Sequence, residues 1–170
     1  MAEKATTTNQ PTVDNATVEK KYDLDKRVSV KNLANWRVTF ARKGESNGDV
    51  IIEKDGRTIL TRNEIQAQID SGNPLFVGVD GHGSHATIYI EDAATRKWVG
   101  FEDENHKHLI LTDDIVLKLF EMSDQEYKNN VPTYVKTRAE KYTFIEAIRR
   151  LNLNDYRKIV FAEKHTGFKV

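Results

Sequence analysis

The spacing of apolar residues changes once along this chain, near Phe101, and that change limits the folds open to it. Before Phe101, short stretches alternate apolar and polar residues with the two-residue period of half-buried strands. After Phe101, apolar residues recur three and four positions apart, as on one face of a helix. Strands that precede helices, instead of alternating with them, predict an α+β fold.

The first part predicts a small, mostly antiparallel β-sheet or a half-open barrel that carries one helix. In the stretch 36–41, Trp36, Val38 and Phe40 are expected to face the core. Lys54 to Arg57 reads KDGR, and its Asp-Gly pair is typical of a tight hairpin turn. A second hairpin is expected across the glycine-rich loop after residue 79. Val28 and Val30 open the folded region, and the predicted strands cover residues 36–41, 49–53, 58–60, 75–79, 86–91 and 98–101.

The helix of this first part is predicted from its two ends. Thr61 and Glu64 form the capping box T-x-x-E, in which each residue binds the backbone amide of the other. Gly72, with Pro74 two residues later, is typical of the end of a helix. We therefore expect a helix of about two and a half turns, held mainly by packing because so short a helix is unstable alone.

The second part predicts helices that begin after Thr112, Ser123 and Thr137. The last two starts carry capping boxes, S-x-x-E and T-x-x-E. Pro132 should prevent one continuous helix, and the third helix is expected to reach about Leu151. A further turn could start at 154–156, and residues 158–162 are predicted as a last strand.

These patterns divide the chain into three segments. Residues 1–22 are polar and have few large aliphatics, so they cannot bury enough surface to offset the entropy of ordering; we expect a disordered N-terminal arm. The arm could instead order on a neighbouring subunit. Residues 23–108 are predicted as the β-rich domain with one helix, and residues 109–170 as a helical C-terminal subdomain.

Composition narrows the classes of protein. The chain has no cysteine, which excludes a disulfide framework, a thiolate zinc site and a cysteine nucleophile. No apolar run approaches the ~18 residues of a membrane span, and the N-terminus lacks the pattern of a signal peptide. We expect a soluble, unsecreted protein without a membrane partner.

Charge is balanced overall but unevenly distributed. There are 26 basic and 26 acidic residues, yet residues 91–126 carry ten acidic and four basic ones, and residues 133–170 carry nine basic and four acidic ones. Such an asymmetry indicates internal salt bridges, two binding surfaces, or head-to-tail self-association.

One loop gathers residues that could do chemistry: Asp80, His82, Ser84 and His85. A metal site would need these groups to converge, with His106 and His108 joining from another loop. Exposed turn residues explain the same pattern, and Ser84 lacks the strand-turn-helix context of a nucleophile. The glycines at 78, 81 and 83 are followed by a predicted strand and not by a helix, unlike a phosphate-binding loop. No catalytic, cofactor-binding or metal-binding residue is therefore assigned, and no small-molecule substrate is evident.

The third C-terminal helix provides a candidate contact surface. At 100° per residue, Arg138, Lys141, Tyr142 and Arg149 lie within about a quarter of its circumference, with Arg150 to one side. Cations with an interleaved aromatic are typical of surfaces that follow a nucleic-acid backbone. A protein partner with an acidic surface, or a merely solvated helix face, would explain the same residues.

Three stretches carry a resemblance: NLANW (32–36), residues 57–92, and LNLNDYRKIVFAEKHTG (151–167). Together they resemble small proteins encoded beside the structural genes of tailed bacteriophages. The resemblance implies a non-enzymatic virion protein, made in the host cytoplasm, that acts as a capsid- or head-associated assembly or accessory component. Its partners would be other virion proteins or copies of itself. A nucleic-acid-binding accessory protein that uses the basic helix is the alternative.

Overall fold

The computed structural model describes residues 22–170, and the fold of this part is α+β. Its five strands are β1 (Arg27–Asn32), β2 (Val38–Ala41), β3 (Asp49–Ile52), β4 (Arg57–Thr61) and β5 (Ile88–Ile90). Its seven helices are α1 (Arg62–Asp70), α2 (Pro74–Val77), α3 (Ala93–Trp98), α4 (Asp113–Glu121), α5 (Asp124–Tyr134), α6 (Arg138–Arg150) and α7 (Tyr156–Thr166).

The larger sheet has β1 in its centre, paired antiparallel with β4 on one side and β5 on the other. Val30 lies opposite Thr58 in β4 and Ile90 in β5. Burial alternates along β1, with Val28, Val30 and Asn32 buried. One face of the sheet therefore covers the core, because successive side chains of a strand point to opposite faces.

β2 and β3 form a separate two-stranded sheet, in which Phe40 lies opposite Val50. The half-open barrel is therefore wrong, because the two sheets do not join among the described residues. The Asp-Gly turn does form, with the Gly56 N–H donating to the Glu53 carbonyl at 2.8 Å. Its flanking strands, however, pair with other partners and not with each other.

Trp36 precedes β2 and is 42% exposed, so its predicted place on the buried face is also wrong.

Residues 75–79 are not a strand, and the hairpin predicted across the glycine-rich loop does not form. Asn73 caps the short helix α2 by accepting from the Leu75 N–H at 3.1 Å, and Pro74 occupies its first position. The φ angle of proline already suits the start of a helix. An apolar run that fits a strand or a helix by its spacing therefore forms a helix here. β5 consequently pairs with β1.

Two further predicted strands are helices or turns. Asp92 accepts from the Thr95 N–H at 3.0 Å and starts α3, so residues 98–101 complete a helix end instead of a strand. Asp155 accepts from the amides of Arg157 and Lys158, and α7 runs through the predicted strand 158–162. In both cases a capping aspartate favours the helix.

The predicted helix starts are confirmed at Thr61, Thr112, Ser123 and Thr137, each of which caps its helix. Ser123 and Thr137 form complete capping boxes. Pro132 lies inside α5, which ends two residues later, so α5 and α6 are indeed separate helices.

Buried apolar side chains form two clusters. The first lies between Val28 and Phe101 in the sequence and the second between Leu111 and Ala162. The predicted boundary between residues 108 and 109 falls between them, and whether the two parts fold independently stays a prediction.

The predicted N-terminal arm lies almost wholly outside the described residues. No helix from residue 22 onward is both long and apolar enough to cross a membrane.

Candidate interaction cleft

An open cleft of about 400 Å³ lies where the first part of the chain meets α6. We call it the aromatic cleft, and the residues that line it are Asn35, Trp36, Arg138, Tyr142 and Phe168. Three of these five residues are aromatic, and one is charged. They come from three separate stretches of the sequence: the turn before β2, the first two turns of α6, and the C-terminal tail.

Asn32 fixes the turn that carries Trp36. Its buried side-chain N–H₂ donates to the carbonyl oxygens of Trp36 at 2.7 Å, Glu53 at 3.0 Å and Ile52 at 3.2 Å. Its Oδ1 accepts from the Ala34 N–H at 2.8 Å. A buried amide with both ends bonded specifies one local backbone path, so the position of Trp36 is set before any ligand arrives.

Helix α6 contributes Arg138 and Tyr142 to the lining of the cleft. The capping box at Thr137 sets the start of the helix, and Arg138 and Tyr142, four residues apart, lie on the same face. The Thr143 hydroxyl donates to the Leu33 carbonyl at 3.1 Å and joins α6 to the turn before Trp36. Lys54 adds a cation 5.6 Å from the centre of the Tyr142 ring.

Phe168 reaches the cleft because α7 ends at Gly167, whose φ of 78° lies in the left-handed region. The Phe168 ring packs edge-on against Tyr142, with 5.5 Å between ring centres and 83° between ring planes. Arg149 holds this tail, since its guanidinium donates to the Lys169 carbonyl at 2.5 Å.

The five predicted contact residues therefore have different surroundings. Arg138 and Tyr142 line the aromatic cleft, and neither Arg138 nor Lys141 has an ion-pair partner within residues 22–170. Arg149 pairs with Glu146 at 2.5 Å. Arg150 donates two hydrogen bonds, each 2.6 Å long, to the Asp113 carboxylate. These bonds raise the pKa of Arg150 and lower the pKa of Asp113.

Two further depressions continue from the aromatic cleft along α6. The nearer one, about 170 Å³, shares Asn35 and Tyr142 with the cleft and includes Lys54, Asp55 and Glu146. The next, about 490 Å³, adds Lys31 and Arg57 together with the acidic residues Glu91, Asp113 and Asp114. We call the aromatic cleft and these two depressions together the furrow. Its lining is aromatic and positively charged at the cleft and carries both charges in the two depressions.

The loop with Asp80, His82, Ser84 and His85 does not bring its side chains together as a site. Asp80 accepts from the backbone amides of His82 and Ser84, and the Ser84 hydroxyl accepts from the Leu109 N–H. His85 is buried and its Nδ1 lies 2.6 Å from Glu140. Among the described residues, no three His, Asp or Glu side chains are placed to hold a metal ion.

His106 and His108 do not complete a site with that loop. The side chain of His108 is buried, with Nδ1 3.1 Å from a carboxylate oxygen of Glu102, and Arg96 Nε lies 3.0 Å from the same oxygen. Burial lowers the pKa of His108, and the Glu102 charge opposes that effect only in part. His106 is exposed.

The sequence alone did not single out Asn35, Trp36 or Phe168 as contact residues. Its alternating neighbours predict a buried strand face for Trp36, and the local sign of the Phe168 position is Gly167, typical of a helix end. The cleft offers aromatic rings and the guanidinium of Arg138, which has no ion-pair partner from residue 22 onward. It can therefore bind an aromatic or ring-shaped group beside an anion.

A comparison of the chain with protein-family models finds no match, and comparisons with curated proteins and with solved structures find none either.

Proposed function

We propose that this chain is a non-enzymatic structural protein of a tailed-bacteriophage particle, acting as a head-associated assembly or accessory component through protein–protein contacts. The phage setting comes from the resemblance of residues 32–36, 57–92 and 151–167. The protein would be made in the host cytoplasm and incorporated into the virion, where it meets other virion proteins or its own copies.

The observation that carries the proposal is Trp36, 42% exposed in a pre-formed cleft beside Tyr142 and Arg138. Exposing so much of a large apolar side chain brings no folding benefit, and Trp, Tyr and Arg are the residues most enriched at the energetic centres of protein interfaces. The Asn32 hydrogen bonds restrain the turn, which reduces the entropy lost on association.

Purified particles provide the test. We expect mass spectrometry of gradient-purified virions to detect the protein, and Trp36→Ala to reduce its incorporation sharply. Tyr156→Ala is the matched control, since Tyr156 is 78% exposed on α7 and does not line the cleft. If the wild-type protein is absent from particles and remains monomeric at high concentration, the proposal fails.

A nucleic-acid-binding accessory protein is the second candidate. Its support is the combination of aromatic rings with Arg138 and Lys141, neither of which has an ion-pair partner in the described part. Against it stand the ion pairs of Arg149 and Arg150, which occupy two of the four expected cations. This candidate predicts steeply salt-dependent binding of a labelled oligonucleotide, abolished in the double variant Arg149→Glu with Arg150→Glu.

A further inference from the structure

We propose that the aromatic cleft binds a short segment of a partner protein in which an aromatic residue or proline lies next to an Asp or Glu. This inference rests on the proposed protein–protein function and names the chemistry of the partner. The aromatic residue or proline would occupy the ring-lined part, and the carboxylate would bind Arg138.

The ring-lined part is suited to a flat or ring-shaped side chain. Trp36, Tyr142 and Phe168 all line it, and the rings of Tyr142 and Phe168 meet edge-to-face. Aromatic rings and proline pack well on such surfaces, and the polar edges of Trp and Tyr can keep contact with water. The volume, about 400 Å³, lies within the range of pockets that bury most of a small ligand.

The charge requirement follows from Arg138. It is the one charged residue that lines the cleft, and it is exposed with no ion-pair partner among residues 22–170. A guanidinium binds a carboxylate through two parallel hydrogen bonds, which gives both affinity and orientation. Lys141, on the same helix and also without such a partner, makes a second cation available near the cleft. The cleft is thus complementary to an anionic group.

The rest of the furrow favours a peptide over a nucleic acid. A nucleic-acid strand carries a phosphate at every nucleotide and would have to continue past Asp55 and Glu146 and then past Asp113 and Asp114. These carboxylates repel phosphates. Two of them also pair with the cations nearby, Asp113 with Arg150 and Glu146 with Arg149. A peptide needs one carboxylate beside Arg138 and can place neutral or basic residues over the mixed part of the furrow.

Selection from a random peptide library displayed on its own messenger RNA tests the proposal, with the full-length chain as the target. We expect enriched peptides to contain Asp or Glu adjacent to Phe, Tyr, Trp or Pro. A fluorescein-labelled copy of the most enriched peptide is then titrated with the wild type and with variants, and fluorescence polarisation gives each dissociation constant.

Variants of the cleft test the aromatic lining and the Arg138 charge separately. Trp36→Ala and Arg138→Glu should each weaken binding roughly tenfold or more, and Arg138→Lys should fall between wild type and Arg138→Glu because a lysine cannot form two parallel bonds. Lys164→Glu, an exposed lysine on α7 outside the cleft, is the charge-matched control and should bind as the wild type does. Circular dichroism of each variant verifies that it is folded.

Four results would overturn the inference. The enriched peptides could bind Trp36→Ala as well as wild type, or they could be basic instead of acidic. An oligothymidylate probe could bind in a Trp36-dependent manner while no peptide is enriched, which would assign the cleft to nucleic acid. Sedimentation could show self-association that Trp36→Ala abolishes, which would make a second copy the occupant.

The peptide experiment and the particle experiment fail separately. Selected acidic peptides that require Trp36 and Arg138 would support this inference even if the protein is absent from virions. Conversely, a protein that is present in virions but enriches no such peptide would retain the proposed function and lose the named partner chemistry.

Discussion

The imidazole Nδ1 of His85 lies 2.6 Å from the carboxylate of Glu140, and both side chains are buried. The other oxygen of the same carboxylate accepts from the backbone amides of Lys136 and Thr137, each at 2.9 Å. Since a carboxylate only accepts, the Nδ1 of His85 must carry the donated proton. One side chain thus caps α6 and joins it to the loop that precedes β5.

Glu140→Ala should lower the free energy of unfolding by about 2–4 kcal/mol, because it removes a helix cap and leaves a buried imidazole without a partner. Urea denaturation followed by circular dichroism measures the change. Glu146→Ala, on the same helix and in a surface pair with Arg149, should cost less than about 1 kcal/mol. Equal losses in the two variants would contradict a special role of the His85 contact.

Asn32→Leu should destabilise the protein by roughly 2 kcal/mol or more, because three backbone carbonyls lose a donor in a buried site. It should also release the turn that positions Trp36. In a Trp98→Phe background, we expect faster acrylamide quenching and lower fluorescence anisotropy of Trp36 than in the parent. Asn129→Leu, at an exposed position of α5, should change neither quantity; a rigid Trp36 in the Asn32 variant would show that another contact holds the turn.

The hydrogen bonds of the Glu64 carboxylate predict that the folded protein becomes less stable in acid. Burial alone would raise its pKa, but hydrogen bonds from Gln68 and from the amides of Lys43, Gly44 and Glu45 outweigh burial and hold the pKa below its ordinary value of 4.5. The folded state therefore keeps this carboxylate charged at a pH where the unfolded chain is already protonated. Its stabilisation is complete above the unfolded pKa and is lost as pH falls through the folded value.

Denaturation curves recorded between about pH 6 and pH 3 measure this dependence. We expect the free energy of unfolding of Glu64→Gln to fall less steeply with acidification than that of the wild type. Glu121→Gln, an exposed glutamate at the end of α4, should leave the free energy of unfolding near neutral pH within about 0.5 kcal/mol of wild type. Parallel pH profiles of wild type and Glu64→Gln would refute the assignment.

Gly81 and Gly83 offer a comparison of backbone strain with packing. Both have positive φ, 80° and 85°, so an alanine at either position should cost about 1–2 kcal/mol of backbone strain. A Cβ on Gly83 would lie 2.5 Å from the Phe101 ring, whereas a Cβ on Gly81 meets nothing within 4 Å. Thermal unfolding should therefore show Gly83→Ala to be less stable than Gly81→Ala by about 1–3 kcal/mol. Equal melting temperatures would mean that the Phe101 ring moves aside freely.

Local signals predicted the parts of the fold that local interactions decide. The helix starts at Thr61, Ser123 and Thr137 could be predicted because a capping residue acts within one turn. The second hydrogen bond expected of the capping box at Thr61, from the Thr61 amide to the Glu64 side chain, does not form. The Glu64 carboxylate instead accepts from the amides of residues 43–45, which are distant in the sequence.

Short apolar runs were the main source of error. Residues 75–79 and 158–162 fit a strand and a buried helix equally well by periodicity. The sequence did contain the deciding residues, Asn73-Pro74 and Asp155, at the starts of the two helices. A proline or a capping aspartate at the start of such a run therefore favours the helix.

Two of the five residues that line the cleft could be predicted as contact residues, and three could not. Helical spacing predicts that Arg138 and Tyr142 share one face of α6, because they are four residues apart. Trp36 and Phe168 meet them only through contacts distant in the sequence, such as the Thr143 bond to Leu33. No periodicity within a single segment can reveal such a meeting.

The central position of β1 in its sheet affects how the protein can be made. β1 is synthesised before both of its neighbours, and its Val30 pairs with Ile90, which follows only after α1 and α2. On the ribosome, the nascent chain must therefore carry an unpaired β1 edge until β5 has emerged. Because such distant pairings form slowly and leave apolar surface open in the meantime, the growing chain should be most exposed to aggregation in the interval before Ile90 has emerged.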